Sequence, residues 1–323
     1  MRNELKIVIT GALGHIGSQL IREIPLTFPG ADIWLVDNLS TQRYCSLFNL
    51  PAEGRYHFIE ADVMTADLGR VFDGAEVVIH LAAITNATDS FENKEHVERV
   101  NFTGTEKVAK ACLQAGSALI FISTTSVYGS QTEVVDEDCP VTDLRPQSPY
   151  AESKLKAELL LHAVEQTEGL RFAVCRFGTI FGTSVGMRFH TAINKFCWQA
   201  VTGQPITVWR SALHQQRPYL DLTDAVEAVK FILQRNLFDG RVYNILTLNS
   251  SIKQIVEMVS GYVPDICIQY VDSPVMNQLS YYVMSDRFKG LGFEFKGDLK
   301  RGIGDTIQLF KALTNGKMAA VSE

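Results

Sequence analysis

The sequence predicts an α/β fold: a doubly wound parallel sheet with helices on both faces, followed by a smaller α/β lobe. Three observations carry this. Short apolar runs alternate with longer stretches of helical periodicity, as expected of strands buried on both faces. The first run leads at once into a glycine-rich turn, Gly11-Ala12-Leu13-Gly14-His15-Ile16-Gly17, that opens a helical pattern. The alternation stays regular up to residue 177 and loosens beyond Gly178. A first domain is therefore expected over 1–177 and a second lobe over 178–323, with some later segments returning to the first domain.

In chain order, the first strand is expected at 7–10 and the first helix from the glycine turn to Ile24, ending near Pro25. Glycines there permit a tight turn and let the backbone approach a pyrophosphate at the amide end of the helix. The second strand, 33–36, ends at Asp37, about twenty residues beyond the last turn glycine, where a carboxylate accepts bonds from ribose hydroxyls and repels a 2'-phosphate. This favours NAD over NADP, although Arg43 stands close enough in sequence to soften the preference. Strand patterns recur at 56–59 and 77–81, followed by Asp62-Val63 and Ala82-Ala83 at the carboxyl ends that face a dinucleotide in such a sheet.

From Lys94 to Ala115 apolar residues recur at helical spacing, with Asn101 inside, an uncommon place for asparagine unless its amide is engaged nearby. A buried strand at 118–122 delivers Ser123 and Thr124 at its carboxyl end. Residues 130–149 read as an acidic, proline-containing loop, and a helix from Ser148-Pro149 to about Glu168 leads to a sixth strand at 171–176. Beyond it the pattern predicts a helix at 189–201, a strand at 206–208, helices at 223–234 and 251–260 around a strand at 242–245, and a mixed tail.

The chemistry concentrates in Tyr150-Ala151-Glu152-Ser153-Lys154, read with Thr124. On a helix Tyr150 and Lys154 share a face. A cation beside a phenol, whose ordinary pKa is about 10, favours the phenolate and brings it toward the working pH. With Thr124 bonding the same oxygen, the trio suits removal of a proton from an alcohol whose carbon loses hydride to a nicotinamide.

Composition excludes other classes. At 323 residues, with 46% hydrophobic and 20% charged residues, the chain reads as a soluble globular protein. A formal charge of -6 gives no footing for nucleic acid. Six scattered cysteines without C-x-x-C argue against a zinc site or a disulfide framework and fit a reducing cytoplasm. No secretory leader is visible, and no apolar run approaches the roughly 18 residues of a membrane span. The expectation is a cytoplasmic protein without metal or membrane partner.

Taken together in their order, GALGHIG, VDNLS, HLAA, VNFTGT, STTSVYG and SPYAESK, with weaker matches at RPYLDLTD and MSDRFKGLGF, resemble the extended short-chain dehydrogenase/reductase family. Within it the chain is similar to the NAD-dependent nucleotide-sugar epimerases and dehydratases, over Lys6 to Leu313. The resemblance implies a Rossmann-type NAD domain, a nucleotide-sugar substrate in the crevice below the lobe, and a homodimer. It implies Tyr150 as the acid-base residue, Lys154 on the nicotinamide ribose and lowering the tyrosine's pKa, and Thr124 orienting the sugar hydroxyl. Gly11, Gly14, His15, Ile16, Gly17, Asp37, Asn38, Asp62, Val63, Leu81, Ala82 and Ala83 would line NAD together with Tyr150 and Lys154, with Asn101 supporting the site. It implies Arg217 at the substrate's diphosphate. Thr85, Thr125 and Thr179 are further expected substrate contacts, and Arg188 is an extra cation of the substrate region, beyond the family pattern, able to grip a diphosphate.

Departures from the family pattern narrow the reaction. Relatives that eliminate water carry an Asp-Glu pair after the catalytic threonine, and decarboxylating relatives tend to carry glutamate at the second place; this chain has Thr125 and Ser126 there. A transient oxidation of the 4-hydroxyl by an epimerase is favoured, ahead of a 4-dehydrogenase or ketoreductase, with a dehydratase or a non-catalytic NAD sensor further behind. In the lobe, Thr179, Pro218 and Asp221 replace the pattern's asparagine, aspartate and histidine, which leaves the sugar and its nucleotide open.

Overall fold

The computed structural model describes residues 5–87, 89–129, 134–272 and 281–311. The outer ends of the two expected segments lie outside these. In the first half the elements run β1 (Lys6–Thr10), α1 (His15–Thr27), β2 (Asp32–Asp37), β3 (Arg55–Glu60), α2 (Leu68–Phe72) and β4 (Val77–His80). They continue with α3 (Lys94–Glu98), α4 (Gly104–Ala115), β5 (Ala118–Thr124), β6 (Val134–Val135), α5 (Pro149–Glu168) and β7 (Phe172–Phe177). The second half holds β8 (Thr179–Phe181), α6 (Ala192–Val201), β9 (Ile206–Trp209), β10 (Gln216–Asp221), α7 (Leu222–Arg235) and β11 (Val242–Ile245). After these come β12 (Leu248–Ser251), α8 (Ile252–Tyr262), β13 (Ile268–Val271), β14 (Tyr282–Val283), α9 (Asp286–Gly290) and α10 (Leu299–Lys311).

Seven parallel strands form the central sheet in the order β11-β7-β5-β4-β1-β2-β3. The chain steps outward from β1 in one direction through β2 and β3, then restarts on its other side with β4. This switch point opens a crevice beyond the carboxyl ends of β1 and β4, where such sheets bind ligands. Side chains alternate across the sheet. Ile7 and Ile9 pack under α1 and α7 with Leu20, Ile24, Val226 and Val229, whereas Val8 joins Phe72, Val108 and Leu161 on the opposite face. Fully burying one such side chain contributes about 1.5–3 kcal/mol.

Part of the second half lies against the first: β11 pairs with β7, and α7 packs against α1. The remaining strands build the lobe, with β12-β10-β8 in one sheet and β13-β9 in another, over a core of their own that includes Phe181, Phe196, Ile255 and Ile303. Three local readings change. Helix α1 runs through Pro25 to Thr27, because proline's fixed φ is compatible with a helix and only one amide bond is lost near its end. The helix expected over 94–115 contains a π-turn at Arg99–Thr103 that carries Asn101. The expected loop at 130–149 contributes β6, which pairs in parallel with β14 from the tail.

Candidate active site

The glycine turn lies at the switch point. Gly11 adopts φ +67°, and a Cβ there would stand 2.6 Å from the Ala82 amide nitrogen, so only glycine lets β1 pass so close to the end of β4. A Cβ on Gly17 would stand 2.5 Å from the Ala12 carbonyl oxygen, which brings α1 tight against the turn. Gly14 is the N-cap of α1 and offers no side-chain cap to the first-turn amides, which begin at His15 and Ile16. Amides left open in this way fit a pyrophosphate.

Asp37 at the end of β2 accepts from the Leu13 amide at 3.0 Å and from the Leu39 amide at 2.9 Å. It therefore braces the glycine turn as well as facing the groove. Asn38 donates to Asp62 at 3.0 Å, and Asp62 also accepts from the Met64 amide at 2.8 Å, joining the ends of β2 and β3 where an adenosine would lie. Val63 beside them is buried.

Beneath Leu81, Ala82 and Ala83 runs a polar chain absent from the sequence reading. His80 is fully buried, with Nδ1 2.7 Å from Thr10 Oγ1 and Nε2 3.1 Å from Thr105 Oγ1. Thr105 donates to the Asn101 carbonyl at 2.6 Å, and Thr10 accepts from the Ala82 amide. This order of donors puts the proton of His80 on Nε2. Burial, with Lys154 nearby, pushes the imidazole down to about 3, so it stays neutral. Asn101 accepts from the Ile84 amide at 2.8 Å and donates to the Ile84 carbonyl and to Ser153 Oγ. Its amide ties the segment after β4 to the helix of Tyr150, a supporting role.

Thr124 ends β5 and caps a short turn by accepting from the Ser126 amide at 3.1 Å. Ser148 caps α5, with Pro149 in its first turn, so Tyr150 enters the site from a fixed helix start. The Thr124 hydroxyl neighbours the Tyr150 phenol closely enough to favour its phenolate. Lys154 is buried on the same helix, and its Nζ donates to the Ile122 carbonyl at 2.8 Å. Burial brings the lysine down to about 7, against the pull of Glu158.

Arg188, from another element, acts on the Tyr150 phenol in the place the sequence suggested for Lys154. Burial holds the phenol above its ordinary pKa, and what favours the phenolate is Arg188, followed by the Thr124 hydroxyl. Lys154 is itself desolvated, which weakens its hold on its own proton, and one of its three N–H groups is committed to the Ile122 carbonyl.

Two further residues support these elements. Tyr281, buried beside β14, is hydrogen-bonded to Thr125 and Ser126 and lies in the field of Arg217. No sequence signal marked it, because it reaches the site only when β14 pairs with β6. Glu158 is bonded by Ser123 and Arg176 behind β5; its place four residues after Lys154 was a legible clue.

Thr125 donates to the Phe177 carbonyl at 3.3 Å. Arg188 donates to Thr85 Oγ1 at 2.6 Å, which brings those two expected residues together. Thr179 on β8 lies opposite Tyr219 on β10, two residues along from Arg217. Arg217 donates to Gln215 and reaches the catalytic turn through the charge it exerts on Tyr281.

Comparison with known proteins identifies this arrangement. The profile described as the NAD dependent epimerase/dehydratase family matches residues 7–245. The chain belongs to the NAD-dependent epimerase/dehydratase family. Its members are nucleotide-sugar epimerases and dehydratases, so this member is an NAD-dependent enzyme of the epimerase/oxidoreductase type. An uncharacterized UDP-glucose epimerase of Bacillus subtilis, YtcB, is 31% identical over 249 residues, 75% of this chain and 76% of the relative. A trifunctional UDP-glucose 4,6-dehydratase/UDP-4-keto-6-deoxy-D-glucose 3,5-epimerase/UDP-4-keto-L-rhamnose-reductase of Arabidopsis thaliana is 29% identical over 323 residues, covering 94% of this chain but only 47% of that protein. Among solved structures, the UDP-glucuronic acid 4-epimerase of Bacillus cereus, in complex with UDP-glucuronic acid and NAD, superposes with a TM-score of 0.83 at 25% identity, over 96% of this chain and 100% of that one.

The epimerase/dehydratase cofactor fits the residues present. The glycine turn, the open amides of α1 and the carboxylate of Asp37 would hold the dinucleotide, and Lys154 and Tyr150 would stand at its reactive end. Among the described residues no helix is long and apolar enough to cross a membrane.

Proposed function

We propose that this enzyme is a nucleotide-sugar epimerase that works by transient oxidation at the sugar's 4-hydroxyl. One observation carries the reading. The Tyr150–Thr124 pair faces the switch-point crevice from a turn whose next side chains, Thr125 and Ser126, are hydroxyls bonded to Tyr281. Elimination of water needs an additional acid and base beside the phenol, and neither hydroxyl ionises near neutral pH.

Tyr150, as phenolate, takes the proton of the 4-hydroxyl while Thr124 bonds the same oxygen. NAD held by the glycine turn and Asp37 would supply the acceptor, and then the donor, of the hydride at that carbon. After the keto-sugar has turned its other face, Tyr150 gives its proton back to the oxygen. Protein and cofactor end as they began, and only the configuration of one carbon has changed. A nucleotide sugar as substrate is supported by the UDP-sugar named for the B. cereus enzyme and by Arg217, whose charge stands at the lobe side of the turn.

Incubation with a panel of UDP- and dTDP-hexoses, followed by NMR of the products, tests the reading. The expected result is a C4 epimer with no net NADH. Net formation or consumption of NADH would make the enzyme a 4-dehydrogenase or ketoreductase, and a 4-keto-6-deoxy product would make it a dehydratase.

A further inference from the structure

The segment between β8 and α6 crosses back over the glycine turn. Ser184 Oγ stands 2.8 Å from His15 Nδ1 and donates to the His15 carbonyl at 2.9 Å, while the Gly186 amide donates to Ser18 Oγ at 3.0 Å. A Cβ on Gly186 would stand 2.5 Å from the Leu13 carbonyl oxygen and 2.6 Å from that of Gly14, so the two backbones are in direct apposition. The lobe thus lies against the turn that receives the cofactor's diphosphate.

Two arginines converge on the same turn. Arg43 Nη1 stands 4.0 Å from the position a Cβ would take on Gly14. Arg188, two residues past Gly186, bonds Thr85, and its buried Nε has no partner among the described residues. Burial and then Arg43 disfavour the charge of Arg188, and burial followed by both arginines disfavours charge on His15 and His190. Asp37 attracts Arg43, but both its oxygens already accept backbone amides. Among the described residues neither guanidinium has a carboxylate within 4.0 Å. Both guanidiniums are half-buried. Like charges held close together without counter-ions repel one another, and an anion that reaches both relieves the repulsion.

We infer that Arg188, together with Arg43, clamps the diphosphate of NAD from the lobe side, and that the Ser184–Gly186 segment latches this clamp over the glycine turn. The position decides between anions. Arg43 and His15 stand at the glycine turn, and Arg188 is near enough to act on both His15 and Tyr150. Arg188 is then a cofactor residue, whereas the sequence reading set it against the substrate. A latched cofactor leaves slowly, which suits an enzyme that returns the hydride within one turnover. The inference rests on NAD occupying the turn, and only its last consequence rests on the epimerase reading.

The test measures NADH release from the whole protein by displacement with excess NAD, read by the fluorescence of bound NADH, beside the affinity for UDP. Arg188→Met and Arg43→Met are each expected to speed release about tenfold or more, with UDP affinity within about twofold of the parent. Arg188→Lys should recover part of the loss. Ser184→Ala, which keeps both arginines, should speed release by about threefold through the latch alone. Unchanged NADH release in Arg188→Met, with UDP binding weakened instead, would assign the arginine to the substrate and overturn the proposal. So would release from the parent protein as fast as from Ser184→Ala. None of these readings requires turnover, so they stand apart from the identity of the sugar reaction.

Discussion

Glu158 meets Arg176 in a two-point ion pair behind the catalytic strand, with Nη2 2.7 Å from Oε2 and Nε 3.1 Å from Oε1. Both side chains are almost wholly buried, at 2% and 5% exposure. The Arg176 guanidinium also lies over the Tyr128 ring at 4.9 Å, and Tyr128 donates to Asn244 on β11. One carboxylate thus anchors β5, β7 and α5, while its charge helps Lys154 keep a proton.

Removing one partner of such a pair leaves a buried charge uncompensated. Glu158→Gln is expected to destabilise the protein by about 3–5 kcal/mol in urea denaturation. It should also move the Lys154 titration below the parent's position near 7, seen in a pH profile of turnover. A loss under about 1 kcal/mol would mean that the pair is not the anchor described.

Tyr150→Phe removes the phenolic oxygen that the Thr124 hydroxyl neighbours. Turnover should fall by at least about 10²–10⁴, the usual worth of a positioned acid-base group. NAD content of the purified protein should remain that of the parent, because the glycine turn and Asp37 are untouched. A variant with near-parental turnover would remove Tyr150 from the mechanism.

Tyr281→Phe strips the bond to Thr125 and Ser126 but keeps the ring in its apolar cluster with Val127 and Tyr128. The lost bond is worth about 1 kcal/mol, so kcat/KM should drop roughly five- to tenfold. If the phenol acts through the turn, Ser126→Ala should cost little more in the Tyr281→Phe background than that change alone. Fully additive losses would show that the two residues act separately.

His80 gives a pH dependence of stability. Its folded pKa of about 3 lies below the ordinary 6.5, so between these values the unfolded chain binds a proton that the folded chain refuses. Stability contributed by the neutral imidazole is therefore present above pH 6.5 and is lost as pH falls toward 3, by at most about 1.4 kcal/mol per pH unit. In His80→Gln the urea midpoint should decline less between pH 6.5 and 5.5 than in the parent. Equal slopes would show that His80 does not carry this dependence.

The sequence by itself determined the sheet and the switch point, and it singled out Thr124, Tyr150 and Lys154 as the groups to look for beside them. Each depends on local rules: a glycine that alone tolerates φ +67° at position 11, a cap and proline that start α5 ahead of Tyr150, and helical spacing that puts Lys154 beneath it. Asn101 stood out in the sequence as a helical asparagine with engaged groups nearby, and Ile84 and Ser153 are the groups it engages. Tertiary structure decided the rest. Tyr281 comes to Thr125 across a gap of more than 150 positions, Ser184 meets His15 across 169, and Arg188 meets Thr85 across 103. Hydrogen bonds and ion pairs at such separations leave no periodicity in the chain, because their geometry is set by sheet order and by the return of the lobe over the glycine turn. Spacing along one helix, as between Tyr150 and Lys154, is visible in a sequence, whereas burial and a guanidinium arriving from another element are properties of the folded interior alone.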